Sequence, residues 1–148
     1  MLQFMMMAFL VLLAGAGLSI QTGVNIRLQS DWAHDPILAA FISFLVGTAA
    51  LFMLLLVNRV PLPDFGQKII WWQWTGGLLG AFMVVLVILF GPRLGAATLF
   101  SLVVTGQLAG GLIIDHMGAF GFTQHTISWT RIAGVALIIA GAFLIRKF

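Results

Sequence analysis

The chain has 148 residues, of which 61% are hydrophobic and 7% are charged, and its formal net charge is +3. So few charged side chains cannot cover a soluble domain, because Leu, Phe and Met would then face water over most of its surface. The seven basic residues are scattered singly and form no patch that could hold a nucleic-acid backbone.

The first apolar run begins at Leu2 and continues to about residue 24. About 20 mostly apolar residues suffice for a helix to cross a hydrocarbon core of about 30 Å. The run therefore predicts a first spanning helix over residues 2–25, which ends in the polar segment Arg27–Asp35. It is longer than the apolar core of a signal peptide and no Lys or Arg precedes it, so we expect it to be retained rather than cleaved.

Two further helices follow in the first two thirds of the chain. Pro36 suits the first turn of a helix and opens the second apolar run, which predicts a helix over residues 37–57. A loop comes next, and it contains the charged residues Arg59, Asp64 and Lys68. Trp71, Trp72 and Trp74 are typical of a membrane interface and begin a third predicted helix over residues 71–90.

The last two predicted helices are separated from the third and from each other by short breaks. Gly91-Pro92 is expected to interrupt the chain, since the residue before proline disfavours helical geometry. We predict the fourth helix over residues 94–114, a polar loop from Asp115 to about Ser128, and the fifth helix over residues 129–145. The prediction is a single all-α transmembrane domain over residues 1–148, a polytopic bundle of five helices whose function resides within the bundle.

The basic residues divide almost evenly between the two faces of the membrane. With the N-terminus on a face called A, face A carries three of them and the opposite face B carries four. Orientation normally follows a clear excess of Lys and Arg on the cytoplasmic side. This balance leaves two alternatives open: insertion in both orientations, or a single orientation decided by one charge or by a partner. The residues on face A are Arg59, Lys68 and Arg131, and those on face B are Arg27, Arg93, Arg146 and Lys147.

Glycines recur at helical spacing on the last three predicted helices. Small residues at such spacing let helix backbones approach closely in lipid. Each pair could serve packing within one chain, and together they indicate a tightly packed bundle with contacts between subunits. The pairs are Gly76 with Gly80, Gly106 with Gly110, and Gly134 with Gly141.

Polar side chains within the apolar runs form two rows. Gln21 and Asn25 lie one turn apart on the first helix, and Ser101 and Thr105 share a face of the fourth helix with Gln107 opposite. Polar groups in a membrane are costly and usually point inward. The rows could line a polar cavity for a small solute, or they could serve as interhelical hydrogen bonds, and Ser and Thr could instead bond their own helix backbone.

Charged and reactive residues offer little for catalysis. Asp115 and Arg131 flank the fourth loop and predict an ion pair, with a coupling role for them and for Arg93 as the alternative. The three histidines lie in loops, and the chain has no cysteine, so no thiolate metal site can form. No nucleophile–base pair, phosphate loop or redox motif is present. We therefore expect neither an enzyme, nor a metal site, nor a cofactor.

Several segments together resemble the YdcZ-like family of small five-helix bacterial proteins, which belong to the drug/metabolite transporter superfamily and are described as inner-membrane exporters. The resemblance extends over nearly the whole chain and rests on the combination of motifs. The segments are Gln21–Asn25, Ala39–Gly47, Gly76–Phe82, Leu94–Thr98, Gly106–Leu108 and Ile114–Gly118.

A second resemblance concerns the last helix alone. The stretch from Arg131 to Gly141 is similar to the last helix of small multidrug resistance transporters, where a glycine stripe makes a dimer contact. Those transporters couple to protons through a Glu in the first helix. This chain has no Glu and carries Gln21 and Asn25 in that helix, so proton antiport is not implied.

The resemblances imply a multi-pass protein of the bacterial inner membrane that exports a small solute by alternating access. Larger superfamily members hold two inverted five-helix halves, so one such half is expected to pair as a homodimer, antiparallel or parallel, or with a related five-helix chain. Amides, hydroxyls and aromatic rings suggest a small neutral or amphiphilic metabolite. The alternative is a non-transporting subunit that assembles or stabilises a larger membrane complex, with the glycine stripes as docking faces.

Overall fold

The computed structural model describes residues 1–64, 66 and 68–147, and its regular structure there is entirely helical. Among these described residues, five α-helices are long and apolar enough to cross a membrane, which confirms the predicted all-α fold of five spanning helices. Large apolar side chains such as Leu10, Val57 and Phe143 face outward along them, as expected of helices surrounded by lipid. The helices are α1 (Leu2–Leu28), α2 (Pro36–Val57), α3 (Thr75–Leu94), α4 (Ala96–Met117) and α5 (Trp129–Lys147).

The first helix extends past its predicted end at residue 25 and into the polar segment Arg27–Asp35. A π-helical turn over Gln29–Ala33 extends α1, and the backbone N–H of His34 closes it by donating to the Gln29 carbonyl at 2.8 Å. Arg27 and Asp31 form an exposed ion pair at 3.5 Å, one turn apart. This pair and the local hydrogen bonds keep the polar segment helical up to the left-handed His34 (φ 56°).

The second helix begins at a side-chain cap. Asp35 precedes Pro36, and its carboxylate accepts hydrogen bonds from the backbone N–H groups of Ile37 (2.8 Å) and Leu38 (2.9 Å). These groups belong to the first turn, where N–H groups have no partner inside the helix. Proline fits the first position because its missing N–H would be unpaired there in any case.

The third helix passes through its proline and ends later than predicted. Pro92 lies in the last turn of α3, and the break falls at Gly95, whose φ of 75° favours glycine. Proline removes the helical donor to the carbonyl of Ile88 and crowds the residue before it. Gly91 has no Cβ, so this crowding is smaller than it would be with another residue before the proline. The helix therefore continues through Pro92 with one hydrogen bond missing.

The chain divides into two compact units, the first over Met1–Pro92 and the second beginning at Arg93. The first unit is centred on Ala39 and Ala40 of α2, packed against Ile88 of α3. Leu28 from the end of α1 covers this small core, together with Val84 of α3. Alanines at the contact let the backbones approach closely, which is how helices pack in lipid.

The second unit is an antiparallel helical hairpin formed by α4 and α5. Gly118, with φ 59°, ends α4 in the left-handed conformation. The connecting loop folds back onto that end, because the His125 N–H donates to the Asp115 carbonyl at 2.8 Å and the Gln124 side chain donates to the His116 carbonyl at 2.9 Å. The loop thereby supplies partners for the last carbonyl groups of the helix.

Candidate functional site

Two polar residues of α1 are buried inside the first unit. Thr22 is 8% exposed and Asn25 is 4% exposed, whereas most of the surrounding α1 side chains face outward. They are three residues apart and therefore lie on one face of the helix. This face continues to the half-buried Leu28, which packs on the alanine core.

The two buried residues differ in how their polar groups are satisfied. The Thr22 hydroxyl donates to the Leu18 carbonyl of its own helix at 3.0 Å. The Asn25 amide forms no hydrogen bond with any other residue in the part of the chain that the structure describes, although a buried amide without a partner is costly. No side-chain nitrogen or oxygen among the described residues is both fully covered and unpaired, so the polar atoms of the Asn25 amide retain a small exposed surface.

Gln21 lies one turn before Asn25 on α1 but is not buried with it. It is exposed and lines a groove of about 230 Å³ together with polar and apolar residues of α2. Ser43 and Thr48 supply hydroxyl groups to this groove, and Phe44 and Gly47 lie beside them. Gln21 therefore provides an accessible amide next to α2, whereas Asn25 provides a covered one within the same unit.

The hydroxyl row of α4 is satisfied by its own helix. Ser101 donates to the Ala97 carbonyl and Thr105 donates to the Ser101 carbonyl, each at 2.7 Å. Ser101 also lines an open cleft of about 550 Å³ between α4 and α5, where Gly141 lies on the opposite wall. Gln107 is exposed. The two polar rows belong to different units, and their facing one another across a cavity stays a prediction.

Asp115 and Arg131 form an ion pair across the loop of the second unit. The Arg131 guanidinium donates to the Asp115 carboxylate and also to the His125 carbonyl, the latter at 3.1 Å. The two side chains thus join both helix ends to the loop between them. Arg93 is exposed and forms no ion pair with a described residue, and a coupling role for any of the three stays a prediction.

Most of the glycines that were predicted to make helix contacts have empty space beside them within a single chain. A Cβ atom built on Gly76, Gly106, Gly110, Gly134 or Gly141 would meet no atom within 4 Å, neighbouring backbone aside. Gly80 differs, because its added Cβ would touch the ring of Phe44 at 3.7 Å. Packing within the described chain therefore does not explain why the open positions carry glycine.

Sequence reasoning passed over several polar residues that the structure places with the candidate site. Thr22 lies three residues before Asn25, and its helical spacing could have identified it. Ser43 and Thr48 interrupt the apolar run of α2, and a search for polar residues in every span would have found them. None of the described residues forms a cluster of three or more His, Cys, Asp or Glu side chains suited to a metal ion.

Comparison with known proteins gives two matches. The family model described as "Putative inner membrane exporter, YdcZ" matches residues 6–144. The inner membrane protein YdcZ of Escherichia coli (strain K12) is 31% identical, over 98% of this chain and 97% of the relative. No solved structure matches the chain.

Proposed function

The chain belongs to the YdcZ family of inner membrane exporters, and from this premise we propose that it moves a small solute across the inner membrane by alternating access as a dimer. The transporter role follows from the family, and the match spans nearly the whole chain. The five helices of the described chain that are long and apolar enough to cross a membrane are the elements along which a solute path would run.

The buried amide of Asn25 is the observation that supports a solute site within the bundle. An amide that no described residue pairs with is free to bind a solute through one acceptor and two donors. A purely structural amide would be expected to have a hydrogen-bond partner among its neighbours. Gln21, Ser43 and Thr48 offer further neutral polar groups in a groove of the same unit. This chemistry favours a small neutral or amphiphilic metabolite.

Two features support a dimer. Gly106 and Gly110 on α4 and Gly141 on α5 are open and would let a second helix approach closely, because no described atom of the same chain, neighbouring backbone aside, lies within 4 Å of a Cβ built on them. The basic residues are balanced between the two membrane faces, which is compatible with two chains of opposite orientation. Such a pair would reproduce the two inverted halves found in larger transporters, with solute sites at the interface between repeats.

The proposal is tested by transport in proteoliposomes made with the purified protein. Vesicles are loaded with a panel of small neutral, zwitterionic and amphiphilic metabolites, and efflux is followed by mass spectrometry against protein-free vesicles. We expect at least one solute to leave faster from the protein-containing vesicles and to saturate with concentration. A folded protein that moves no solute of the panel in either direction would contradict a transporter of this class and favour the non-transporting subunit.

A further inference from the structure

A cleft between α4 and α5 combines apolar walls with a charged end. Its volume is about 340 Å³, and it lies wholly within the second unit. Leu108, Gly111 and Leu112 line it from α4, and Ile138 lines it from α5. The side chains of Asp115 and Arg131 form its polar end. This cleft shares no residue with the groove beside Gln21 and is not used in the proposed transport.

The charged end of the cleft lies where the helices leave the hydrocarbon core. Asp115 is in the last turn of α4, and Arg131 is in the first turn of α5, two residues after Trp129. Trp129 is 86% exposed, as an interfacial tryptophan would be. Leu108 and Ile138 each lie seven residues from the ion pair, which is about 10 Å along a helix. The apolar walls therefore extend from headgroup level into the bilayer.

The ion pair retains capacity for a ligand. The Asp115 and Arg131 side chains are 26% and 34% exposed, so the pair is covered but not sealed. Arg131 uses its guanidinium on Asp115 and on the His125 carbonyl, and a guanidinium has five N–H donors. The Asp115 carboxylate has about four lone-pair positions, of which the arginine occupies part. One face of the pair can therefore donate to an anion while the other accepts from a cation.

We propose that this cleft holds one phospholipid with a phosphoethanolamine headgroup. An acyl chain lies along the apolar walls, the phosphate accepts hydrogen bonds from Arg131, and the primary ammonium donates to Asp115. Both charges of the pair are then matched by one zwitterion at headgroup level. A phosphocholine headgroup has the same net charge but no N–H to donate, and an anionic phosphoglycerol headgroup has no cation for Asp115. A water-soluble zwitterion would leave the apolar walls uncovered.

Native mass spectrometry with lipids of identical acyl chains tests the headgroup. The purified protein is incubated with equimolar phosphatidylethanolamine, phosphatidylcholine and phosphatidylglycerol, and the lipid-bound fraction of each is measured. We expect phosphatidylethanolamine to be retained about tenfold better than phosphatidylcholine, the ratio that one charge-assisted hydrogen bond supplies. Equal retention of the three lipids, or a preference for phosphatidylglycerol, would overturn the proposal.

Two matched variants place the lipid in the cleft without altering the ion pair. A Cβ atom at Gly111 meets nothing within 4 Å, so Gly111→Leu adds bulk to the cleft itself. Ala109→Leu adds similar bulk to α4 outside the cleft. We expect Gly111→Leu to lower phosphatidylethanolamine retention severalfold and Ala109→Leu to leave it unchanged. Asp115→Asn should remove the preference over phosphatidylcholine. A Gly111→Leu protein that retains the lipid as well as the unmodified protein would overturn this location.

Discussion

At the scale of single residues, Thr22 and Asn25 form the most informative pair. Both are buried on one face of α1, yet the Thr22 hydroxyl is bonded to its own helix and the Asn25 amide is bonded to no described residue. The sequence could predict that polar side chains in the first span point inward. It could not predict which ones, because burial depends on the rotation of α1 against α2 and α3.

The unpaired amide leads to a prediction about stability and water access. Asn25→Ala removes no hydrogen bond made within the described chain, so we expect the free energy of unfolding to change by less than about 1 kcal/mol. Thr22→Val is the matched control, because it keeps the side-chain volume and removes only a hydroxyl that bonds its own helix. Its free energy of unfolding should change by a similarly small amount. Thermal unfolding in detergent measures both. Since the natural chain has no cysteine, Asn25→Cys can also be labelled selectively. A loss of about 3 kcal/mol in Asn25→Ala, with a Cys variant that resists water-soluble reagents, would instead indicate an interhelical clasp.

At the scale of the helices, the cap of α2 gives a prediction with a known magnitude. The Asp35 carboxylate accepts from two backbone N–H groups at 2.8 and 2.9 Å. Asp35→Ala leaves both without this partner and should cost about 1 kcal/mol of stability, whereas Asp35→Asn keeps an accepting oxygen and should cost less. Thermal unfolding of the two variants checks the order. Equal stability of Asp35→Ala and the natural protein would show that the cap contributes nothing.

The glycine stripe of α5 predicts a contact between chains. A side chain at Gly141 fits within the single chain, because its Cβ meets nothing within 4 Å. Gly141→Leu should therefore insert normally but reduce the dimer fraction in crosslinking, since it holds a second helix away. Gly141→Cys should form a crosslink between chains. Gly80→Leu is the contrasting variant: its Cβ would already contact the ring of Phe44 in the same chain, so the atoms beyond Cβ would have to displace that ring and should lower stability instead.

Absence of a crosslink at residue 141, together with a normal dimer in Gly141→Leu, would show that this stripe serves packing within one chain.

The helix boundaries show how much of the fold could be predicted from the sequence. Long apolar runs identified all five spanning helices. The predicted break at Gly91-Pro92 lies instead at Gly95, because Gly91 accommodates the proline and one missing hydrogen bond does not end a helix.

At the scale of the whole molecule, the balance of basic residues predicts insertion in both orientations. Odd numbers of spans place the termini on opposite faces, so each orientation puts the C-terminus on a different side. Reporters that are active on only one side of the membrane, fused to the C-terminus, should both give signal. Two Lys residues added between Asn58 and Lys68 should shift the ratio toward face A in the cytoplasm. A signal from one side only would require a parallel dimer or a second protein.

Family membership could be predicted from sequence motifs. The all-helical membrane fold could be predicted from composition, because a chain with such long apolar runs can cross lipid only as helices. Neither the groove beside Gln21 nor the cleft between α4 and α5 could be predicted from the sequence. Each is formed by side chains of two helices, and the apolar pattern of one helix does not determine how it is rotated against the other. The polar residues that line them, Gln21, Ser43 and Thr48 in the groove and Asp115 and Arg131 in the cleft, are visible in the sequence, but their apolar neighbours are not distinguished from the rest of each span.

The central claim, that solute crosses this bundle at Asn25, is tested most directly by one comparison of transport rates. Natural protein, Thr22→Val and Asn25→Ala are reconstituted at equal density, and efflux of the solute found in the panel is measured from all three. We predict equal rates for the natural protein and Thr22→Val, and a rate at least about tenfold lower for Asn25→Ala, because one hydrogen bond to the solute is lost. An Asn25→Ala protein that transports as fast as the natural one would contradict the account.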